Sequence, residues 1–192
     1  MIIKGLSFGY GGNTVFDRLD IELPQPVCCI MGPSGRGKTT LLHIIAGLIT
    51  GYTGSIEGIP KQPAVLFQED RLLPWLNAKE NVLLPLASDG LRLAAPKEAE
   101  ERAGYLLKRL GIDPGLAVSE LSGGMARRVA LARCLMLPSD MLLLDEPFRG
   151  LDADNARIAA DLILEQKLPL IASTHSLDEA KLLCAKVADL LH

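Results

Sequence analysis

Short apolar runs separated by glycine and proline dominate the first third of the chain, and this pattern predicts β-strands. The predicted strands span residues 2–10, 19–23, 27–31, 55–57 and 64–67. One helix is predicted among them, from Lys38 to about residue 49, and it opens directly from a glycine-rich turn.

Residues 69–125 are richer in helical patterns. Pro96 suits the first turn of a helix, and acidic residues follow it in that turn. Leucines then continue the helix along one face as far as Gly111, which predicts its end.

The last third alternates between helical periodicity and short apolar runs. The predicted order is helix 123–137, strand 141–144, helix 152–167, strand 168–172, helix 177–184 and strand 186–190. Such alternation predicts a parallel sheet covered on both faces. Ligands of open parallel sheets bind at the carboxyl ends of the strands, so residues at those ends are candidates for chemistry.

Composition narrows the possible partners. The 192 residues carry a net charge of −3, so the chain lacks the basic excess of a nucleic-acid binder, and no nucleic acid is expected as main partner. Apolar runs stop well short of about 20 residues, so any membrane-spanning part is expected on another chain. The four cysteines form no CxxC pair and are expected to be buried in a reducing cytosol.

The turn after the strand at 27–31 fits the phosphate-binding pattern GxxxxGK[ST] without a gap. Its members are Gly32, Pro33, Ser34, Gly35, Arg36, Gly37, Lys38 and Thr39, and Thr40 follows them in the helix. Backbone N–H groups of such a loop converge on phosphate oxygens, and the helix N-terminus adds positive potential. Lys38 is expected to reach the β- and γ-phosphates of ATP, and the Thr39 hydroxyl to bind Mg²⁺.

A second candidate lies where the strand at 141–144 ends in Asp145 and Glu146. Two adjacent acidic residues after a strand usually lie in a solvated turn. Because this chain also contains a phosphate loop, the two acids are candidates for a catalytic role. Asp145 is expected to hold Mg²⁺ directly or through water. Glu146 is expected to orient and deprotonate a water for in-line attack on the γ-phosphate.

A third motif, LSGGM at residues 121–125, opens a long helix. Ser122 is a natural N-cap, and Gly123 and Gly124 allow a ligand close to the backbone. A single nucleotide has little use for two anion-binding helix starts on one molecule. Two subunits facing head to tail would give each nucleotide one of each.

In their order and spacing, the three motifs resemble an ABC ATPase cassette over essentially the whole chain. The resemblance implies an α/β fold, namely a P-loop NTPase with a RecA-like parallel-sheet core, an antiparallel β-subdomain and a helical subdomain. Residues 1–68 and 126–192 would form the core with the β-subdomain, and residues 69–125 the helical subdomain. The resemblance also implies two ATP molecules sandwiched between two cassettes, with a homodimer expected.

Four further positions match the family pattern residue by residue. Tyr10 resembles the aromatic that stacks on adenine, although a strand-end tyrosine often simply packs. Gln68 resembles the glutamine that senses Mg²⁺ and the γ-phosphate, and Asp152 the aspartate at the dimer interface. His175 resembles the histidine that contacts the γ-phosphate. The chain departs from the pattern at Met125, where glutamine is usual.

The segment QEDRLLPWL, residues 68–76, is the part of the sequence that is most informative about the protein partner. In the family this segment docks the permease, and Leu72, Leu73 and Trp75 would form an exposed apolar patch for it. The alternative is that Trp75 packs inside the helical subdomain. The sequence LLPW…NV resembles the cassettes of nitrate, sulfonate and taurine-type importers. This resemblance implies that the chain works with an integral-membrane permease and a solute-binding protein. It also implies a location on the cytoplasmic face of the cell membrane.

Three other functions stay open. An ABC ATPase that works without a permease, in translation or DNA repair, usually carries a second cassette or a long coiled-coil insertion. A P-loop kinase of a small metabolite has no use for the LSGGM motif. A non-hydrolysing structural cassette does not need Lys38, Glu146 and His175.

Overall fold

A computed structural model describes residues 1–86 and 96–190 of the chain. The strands of this part are β1 (Ile2–Tyr10), β2 (Asn13–Glu22), β3 (Val27–Met31), β4 (Thr53–Glu57), β5 (Pro63–Leu66), β6 (Met141–Asp145), β7 (Leu170–Ser173) and β8 (Lys186–Asp189). The helices are α1 (Lys38–Ile45), α2 (Ala78–Leu83), α3 (Lys97–Arg109), α4 (Gly123–Leu135), α5 (Ala153–Glu165) and α6 (Leu177–Leu182).

The strands form two sheets. A three-stranded sheet has the order β2-β1-β4, and its neighbours are antiparallel. A five-stranded sheet has the order β5-β6-β7-β3-β8, in which β3 runs parallel to β7 and β8, and β6 runs parallel to β7. Because these strands are parallel, the residues that follow β3, β6 and β7 lie at the same edge of the sheet.

Contacts between residues divide the chain into two units. The first unit contains Met1–Val65, Ser139–Glu146 and the chain from Leu168 onward, and the second contains Leu66–Pro138 and Pro147–Lys167. The subdomain boundaries expected from the sequence, at residues 69 and 125, stay a prediction.

The core of the first unit joins both sheets to α1. Buried aliphatic side chains from β1, β3, α1 and β6 form it, including Ile3, Ile30, Leu41 and Leu143. Full burial of each such side chain contributes about 1.5–3 kcal/mol of transfer free energy. This core holds the ends of β3 and β6 in place. The phosphate loop follows β3, and Asp145 and Glu146 lie at the end of β6.

The second unit contains α2, α3 and α4, which pack on one another. Helix α2 lies within residues 69–125, in a part for which no helix bounds are predicted. It begins with a capping box, in which the Asn77 side chain accepts from the Glu80 N–H at 2.8 Å and Glu80 accepts from the Asn77 N–H at 2.8 Å. In residues 1–86 and 96–190, no helix has the length and apolar character to cross a membrane.

Several element ends differ from the prediction. Strand β2 begins at Asn13 rather than residue 19, because a two-glycine turn pairs Tyr10 with Asn13 in a hairpin. Helix α1 stops at Ile45, because the chain turns away at Gly47, whose φ is +70°. Helix α4 ends at Leu135, two residues earlier than expected.

Candidate active site

The phosphate loop lies in the first unit, between the end of β3 and the start of α1. Gly37 caps α1 with a φ of +83°, and a Cβ there would lie 2.7 Å from both Phe16 and Val15. Both the left-handed backbone and the crowding therefore require glycine at this position. Gly35, with a φ of +79°, has open space where its Cβ would be, so a ligand can approach the backbone there.

Lys38 is a buried cation at the first position of α1, and its side chain is only 6% exposed. Its Nζ donates to the carbonyl oxygens of Gly32 at 2.7 Å and Pro33 at 3.0 Å. Burial lowers the pKa of Lys38, while the charges of Glu146 and Asp145 oppose that shift. A desolvated cation held by neutral carbonyls inside a phosphate loop is suited to an anionic ligand.

Asp145, the last residue of β6, is buried and accepts hydroxyl groups on both carboxylate oxygens. The Thr39 hydroxyl donates to Oδ2 at 2.6 Å, and the Ser173 hydroxyl donates to Oδ1 at 2.5 Å. These contacts join the phosphate loop to the ends of β6 and β7. A carboxylate and a hydroxyl oxygen at this distance are the hard oxygen donors that Mg²⁺ prefers.

The oxygen donors of this site fit Mg²⁺ only if phosphate oxygens and water complete its coordination. In the described part of the chain, no group of three or more His, Cys, Asp or Glu side chains could hold a metal ion. Mg²⁺ is commonly bound by one or two carboxylates together with substrate phosphates, rather than by an all-protein cage. Thr39 and Asp145, lying beside a phosphate loop, match that pattern.

Glu146 and His175 lie next to each other at the same edge of the sheet. His175 Nε2 is 2.6 Å from Glu146 Oε1, and the Glu146 side chain is largely buried whereas His175 is partly exposed. With Glu146 ionised, Nε2 is the donor of this hydrogen bond. Glu146 has a φ of +50°, an uncommon left-handed conformation for a residue with a side chain.

The structure thus brings five of the predicted site residues together in the first unit. They are Lys38, Thr39, Asp145, Glu146 and His175. Tyr10, at the end of β1, is half-exposed and packs edge-on against Phe8 with ring centroids 4.9 Å apart. Ser34 and Arg36 are exposed in the loop, and Thr40 is half-buried in α1.

The other predicted site residues lie in the second unit. Ser122 caps α4 by accepting from the Met125 N–H at 3.3 Å, and Ser122 and Gly123 are exposed. A Cβ on Gly124 would lie 2.8 Å from the Gly150 carbonyl oxygen, so the first turn of α4 touches the loop before α5. Asp152 caps α5 by accepting from the Asn155 N–H at 2.9 Å. The two helix starts therefore meet within this unit.

The segment after β5 is held on the second unit by two arginines of α4. Arg127 donates to the Phe67 carbonyl at 2.7 Å and to the Asp70 carboxylate at 3.0 Å. Arg133 donates to the Asp70 carbonyl at 2.5 Å and the Arg71 carbonyl at 2.8 Å. Gln68 lies within this segment and is exposed.

Trp75 continues the same segment with its side chain turned outward. It is 75% exposed, whereas Leu72 and Leu73 are half-buried. Asn81 holds the backbone around it, since its side chain accepts from the Leu73 N–H at 2.8 Å and donates to the Leu76 carbonyl at 3.3 Å. The alternative that Trp75 packs inside its subdomain is wrong.

A family model described as ABC transporter matches residues 18–149, which include the phosphate loop, the LSGGM motif and the acid pair. The chain belongs to the ABC transporter family. It is an ABC-type ATPase, and ATP is its nucleotide, as the motifs predicted. The family match also favours this activity over a P-loop metabolite kinase.

Curated relatives of this ABC ATPase are aliphatic sulfonates import ATP-binding proteins named SsuB. The protein from Corynebacterium glutamicum is 40% identical over 185 residues, covering 93% of this chain and 74% of the relative. The protein from Mycobacterium sp. strain MCS is 40% identical over 190 residues, covering 96% and 77%. The predicted resemblance to sulfonate-type importer cassettes is confirmed.

Solved structures of the ABC transporter cassette MJ0796 share the fold of this ABC ATPase. A dimeric structure matches with a TM-score of 0.79 and 26% identity, covering 98% of this chain and 94% of that one. A dimeric post-hydrolysis structure bound to ADP and Pi matches with a TM-score of 0.77 and 27% identity, covering 94% and 90%. The predicted α/β P-loop fold is confirmed.

Sequence reasoning missed two polar residues in this ABC ATPase. Ser173 was not singled out, although a hydroxyl ending a parallel strand two residues before His175 was a usable signal. Arg127 resembles any charged residue of a long helix, and no pattern in the sequence distinguishes it from a solvated arginine. Its burial depends on a segment 57 to 60 residues away along the chain.

Proposed function

We propose that this chain is the ATP-hydrolysing motor of an importer and that it drives a separate integral-membrane permease. The observation that carries the proposal is the Glu146–His175 pair, held at 2.6 Å beside a buried loop lysine. A structural cassette has no need to place an acid and a histidine against a desolvated Lys38. Transport by these relatives, as their names state it, supports the importer assignment.

Lys38, Thr39 and Asp145 bind the nucleotide in this proposal. Lys38 releases the carbonyls of Gly32 and Pro33 and donates to the β- and γ-phosphates instead, which is favourable because its burial leaves it poorly solvated. Thr39 and Asp145 hold Mg²⁺, which when bound neutralises charge on the transferring phosphoryl group. Tyr10 offers an exposed ring to the adenine, and Gln68 stays the residue expected to sense Mg²⁺ and the γ-phosphate.

Glu146 is the general base. Its carboxylate accepts a proton from the water that attacks the γ-phosphate. His175 donates from Nε2, which aims the Glu146 carboxylate and leaves the imidazole beside the γ-phosphate. The two side chains therefore act as one unit at the edge of the sheet.

Two copies of the chain form the working assembly. The start of α4, at which Ser122 and Gly123 are exposed and Gly124 is half-buried, offers N–H groups to the phosphate bound by the other copy. Asp152 lies at the same interface, since its loop touches the first turn of α4. The dimeric MJ0796 structures support this arrangement.

In this proposal the permease docks on the segment that carries Trp75, and the chain works at the cytoplasmic face of the cell membrane. An indole that is 75% exposed, on a backbone fixed by Asn81, is suited to anchor a partner helix. A solute-binding protein delivers the cargo, and the names of the relatives make an aliphatic sulfonate the first solute to test.

Trp75→Ala is expected to leave ATPase activity and unfolding unchanged and to abolish binding to permease-containing membrane vesicles.

The motor assignment is tested with Glu146→Gln, which keeps the shape of the side chain but removes its basicity. We expect ATP binding to persist, turnover to fall at least about 100-fold, and an ATP-dependent dimer to accumulate on size-exclusion chromatography. Glu101→Gln is the matched control, because Glu101 is exposed on α3. Normal turnover in Glu146→Gln would remove Glu146 from the role of base.

A further inference from the structure

Ser173 is a buried hydroxyl between the two acids of the site. It is the last residue of β7, and its side chain is 0% exposed. Its Oγ lies 2.5 Å from Asp145 Oδ1 and 3.0 Å from the Glu146 backbone nitrogen. None of the three sequence motifs includes it, yet it touches both residues to which the hydrolytic chemistry is assigned.

The direction of these hydrogen bonds follows from counting protons. A serine hydroxyl has one proton to donate and lone pairs that accept. The Glu146 N–H can only donate, so Ser173 Oγ accepts there. The single Ser173 proton is thereby left for Asp145 Oδ1, and hydrogen bonds to a carboxylate are the stronger kind.

The contact with Asp145 fixes the orientation of its carboxylate. Thr39 donates to Oδ2 at 2.6 Å while Ser173 donates to Oδ1, so the carboxylate is held from both sides. Free rotation of the group would misplace an oxygen that is assigned to Mg²⁺. Partners of this kind, which hold a metal-binding group without touching the metal, typically change metal affinity 10- to 100-fold.

The contact with Glu146 holds an uncommon backbone conformation. Glu146 has a φ of +50°, and a left-handed residue with a side chain persists only where its surroundings fix it. Its N–H is shared between the Ser173 carbonyl at 3.2 Å and the Ser173 hydroxyl at 3.0 Å. The conformation matters because it sets where the Glu146 side chain meets His175.

We propose that Ser173 is a positioning residue that orients Asp145 for Mg²⁺ and Glu146 for proton transfer through one hydroxyl group. The proposal rests on the proposed roles of these two acids. This role requires no contact between Ser173 and the nucleotide or the metal. Its loss therefore affects Mg²⁺-dependent binding and turnover, and leaves the Mg²⁺-independent part of ATP binding in place.

The test compares Ser173→Ala, which removes the hydroxyl, with Ser173→Thr, which keeps it. The matched control is Ser139→Ala, because among the described residues Ser139 has a buried hydroxyl oxygen without a hydrogen-bond partner. For each variant we would measure binding of a fluorescent ATP analogue with and without Mg²⁺, kcat and KM across a Mg²⁺ titration, and thermal unfolding.

For Ser173→Ala we expect the Mg²⁺ concentration at half-maximal ATP binding to rise roughly tenfold. We expect kcat to fall roughly tenfold or more, as the loss of one charge-assisted hydrogen bond predicts. Binding without Mg²⁺ should change less than about twofold, Ser173→Thr should recover most of the loss, and Ser139→Ala should match the wild type.

Two results would overturn the proposal while the motor assignment stands. One is a Ser173→Ala variant whose Mg²⁺ dependence and kcat equal those of the wild type. The other is equal impairment of Ser173→Ala and of a Ser173→Thr variant whose thermal unfolding matches the wild type, since the added methyl group is then accommodated and the hydroxyl is not responsible. A wild-type chain that neither binds nor hydrolyses ATP would instead overturn the proposed function itself, so the two failures are distinguishable.

Discussion

The two units of the molecule each bury a long cationic side chain, and they use it differently. In the first unit, Lys38 donates to two carbonyl oxygens of the phosphate loop, and burial lowers its pKa. In the second unit, Arg127 is 1% exposed and forms an ion pair with Asp70 at 3.0 Å, besides a hydrogen bond to the Phe67 carbonyl. One charge is held by neutral groups, whereas the other is neutralised by a carboxylate.

The difference separates a charge kept for a ligand from a charge used for structure. A buried cation without a bonded carboxylate gains most from an incoming anion, so Lys38 suits phosphate binding. A buried cation that is paired and hydrogen-bonded fixes its partners, so Arg127 fastens the segment that contains Gln68 to α4. Burial of a charged residue therefore does not by itself identify an active site, and the nature of its partners does.

The largest expected effect comes from Lys38→Met, which removes the charge at similar volume. We expect turnover to fall at least about 100- to 1000-fold, because one strong donor to the transferring phosphoryl group is lost. The free energy of unfolding should change by less than about 1 kcal/mol, since only hydrogen bonds to two loop carbonyls disappear. Steady-state ATPase assays and urea unfolding check this pair of outcomes. A large loss of stability would show that Lys38 is structural as well.

The opposite outcome is expected for Arg127→Met. The Asp70 carboxylate and the Phe67 carbonyl lose their buried donor, which should lower the free energy of unfolding by about 2–4 kcal/mol. Urea unfolding measures the change. Arg157→Met is the control, because Arg157 pairs with Asp154 on the surface and such pairs contribute about 0–1 kcal/mol. If both variants unfold alike, the proposed structural role of Arg127 is wrong.

A smaller effect is expected at the contact between the two helix starts of the second unit. In Gly124→Ala the new Cβ would lie 2.8 Å from the Gly150 carbonyl oxygen, which is too close. The backbone must shift to avoid this clash, and the shift should lower the free energy of unfolding by about 1–3 kcal/mol. Gly104→Ala in α3 is the matched control, because no atom beyond its chain neighbours and the nearby backbone of its own helix lies within 4 Å of its Cβ position. That change should instead stabilise the chain by about 0.5–1 kcal/mol. Calorimetric unfolding distinguishes the two directions.

The smallest expected effect concerns how well each unit protects its buried cysteines from solvent. Burial raises the pKa of Cys28 to about 11 and of Cys134 to about 12, so these thiols stay protonated at pH 8. Cys29 is likewise buried with a pKa of about 12, whereas Cys184 is exposed, so the expectation that all four cysteines are buried is wrong for Cys184. A thiol reagent at pH 8 should modify one cysteine in the folded chain and four in urea. Rapid modification of Cys134 alone would show that the second unit opens more readily than the first.

The sequence by itself determined the motifs whose atoms are contiguous along the chain. The phosphate loop requires glycines, a lysine and a threonine at fixed spacing between a strand and a helix, and residues 32–39 supply all of them. The strands β6 and β7 were also predicted from the sequence, because short apolar runs followed by polar residues indicate parallel strands that end at a ligand site. Family, fold and ATPase activity followed from these local patterns and their order.

Only the tertiary structure decided which residues support that chemistry. Ser173 lies 28 residues from Asp145, and its hydroxyl becomes important only because β6 and β7 are neighbours in the sheet. The burial of Arg127 and the exposure of Trp75 likewise depend on how the segment after β5 lies on the second unit. Hydrogen-bond partners and burial are properties of contacts between distant parts of the chain, and hydrophobic periodicity carries no information about them.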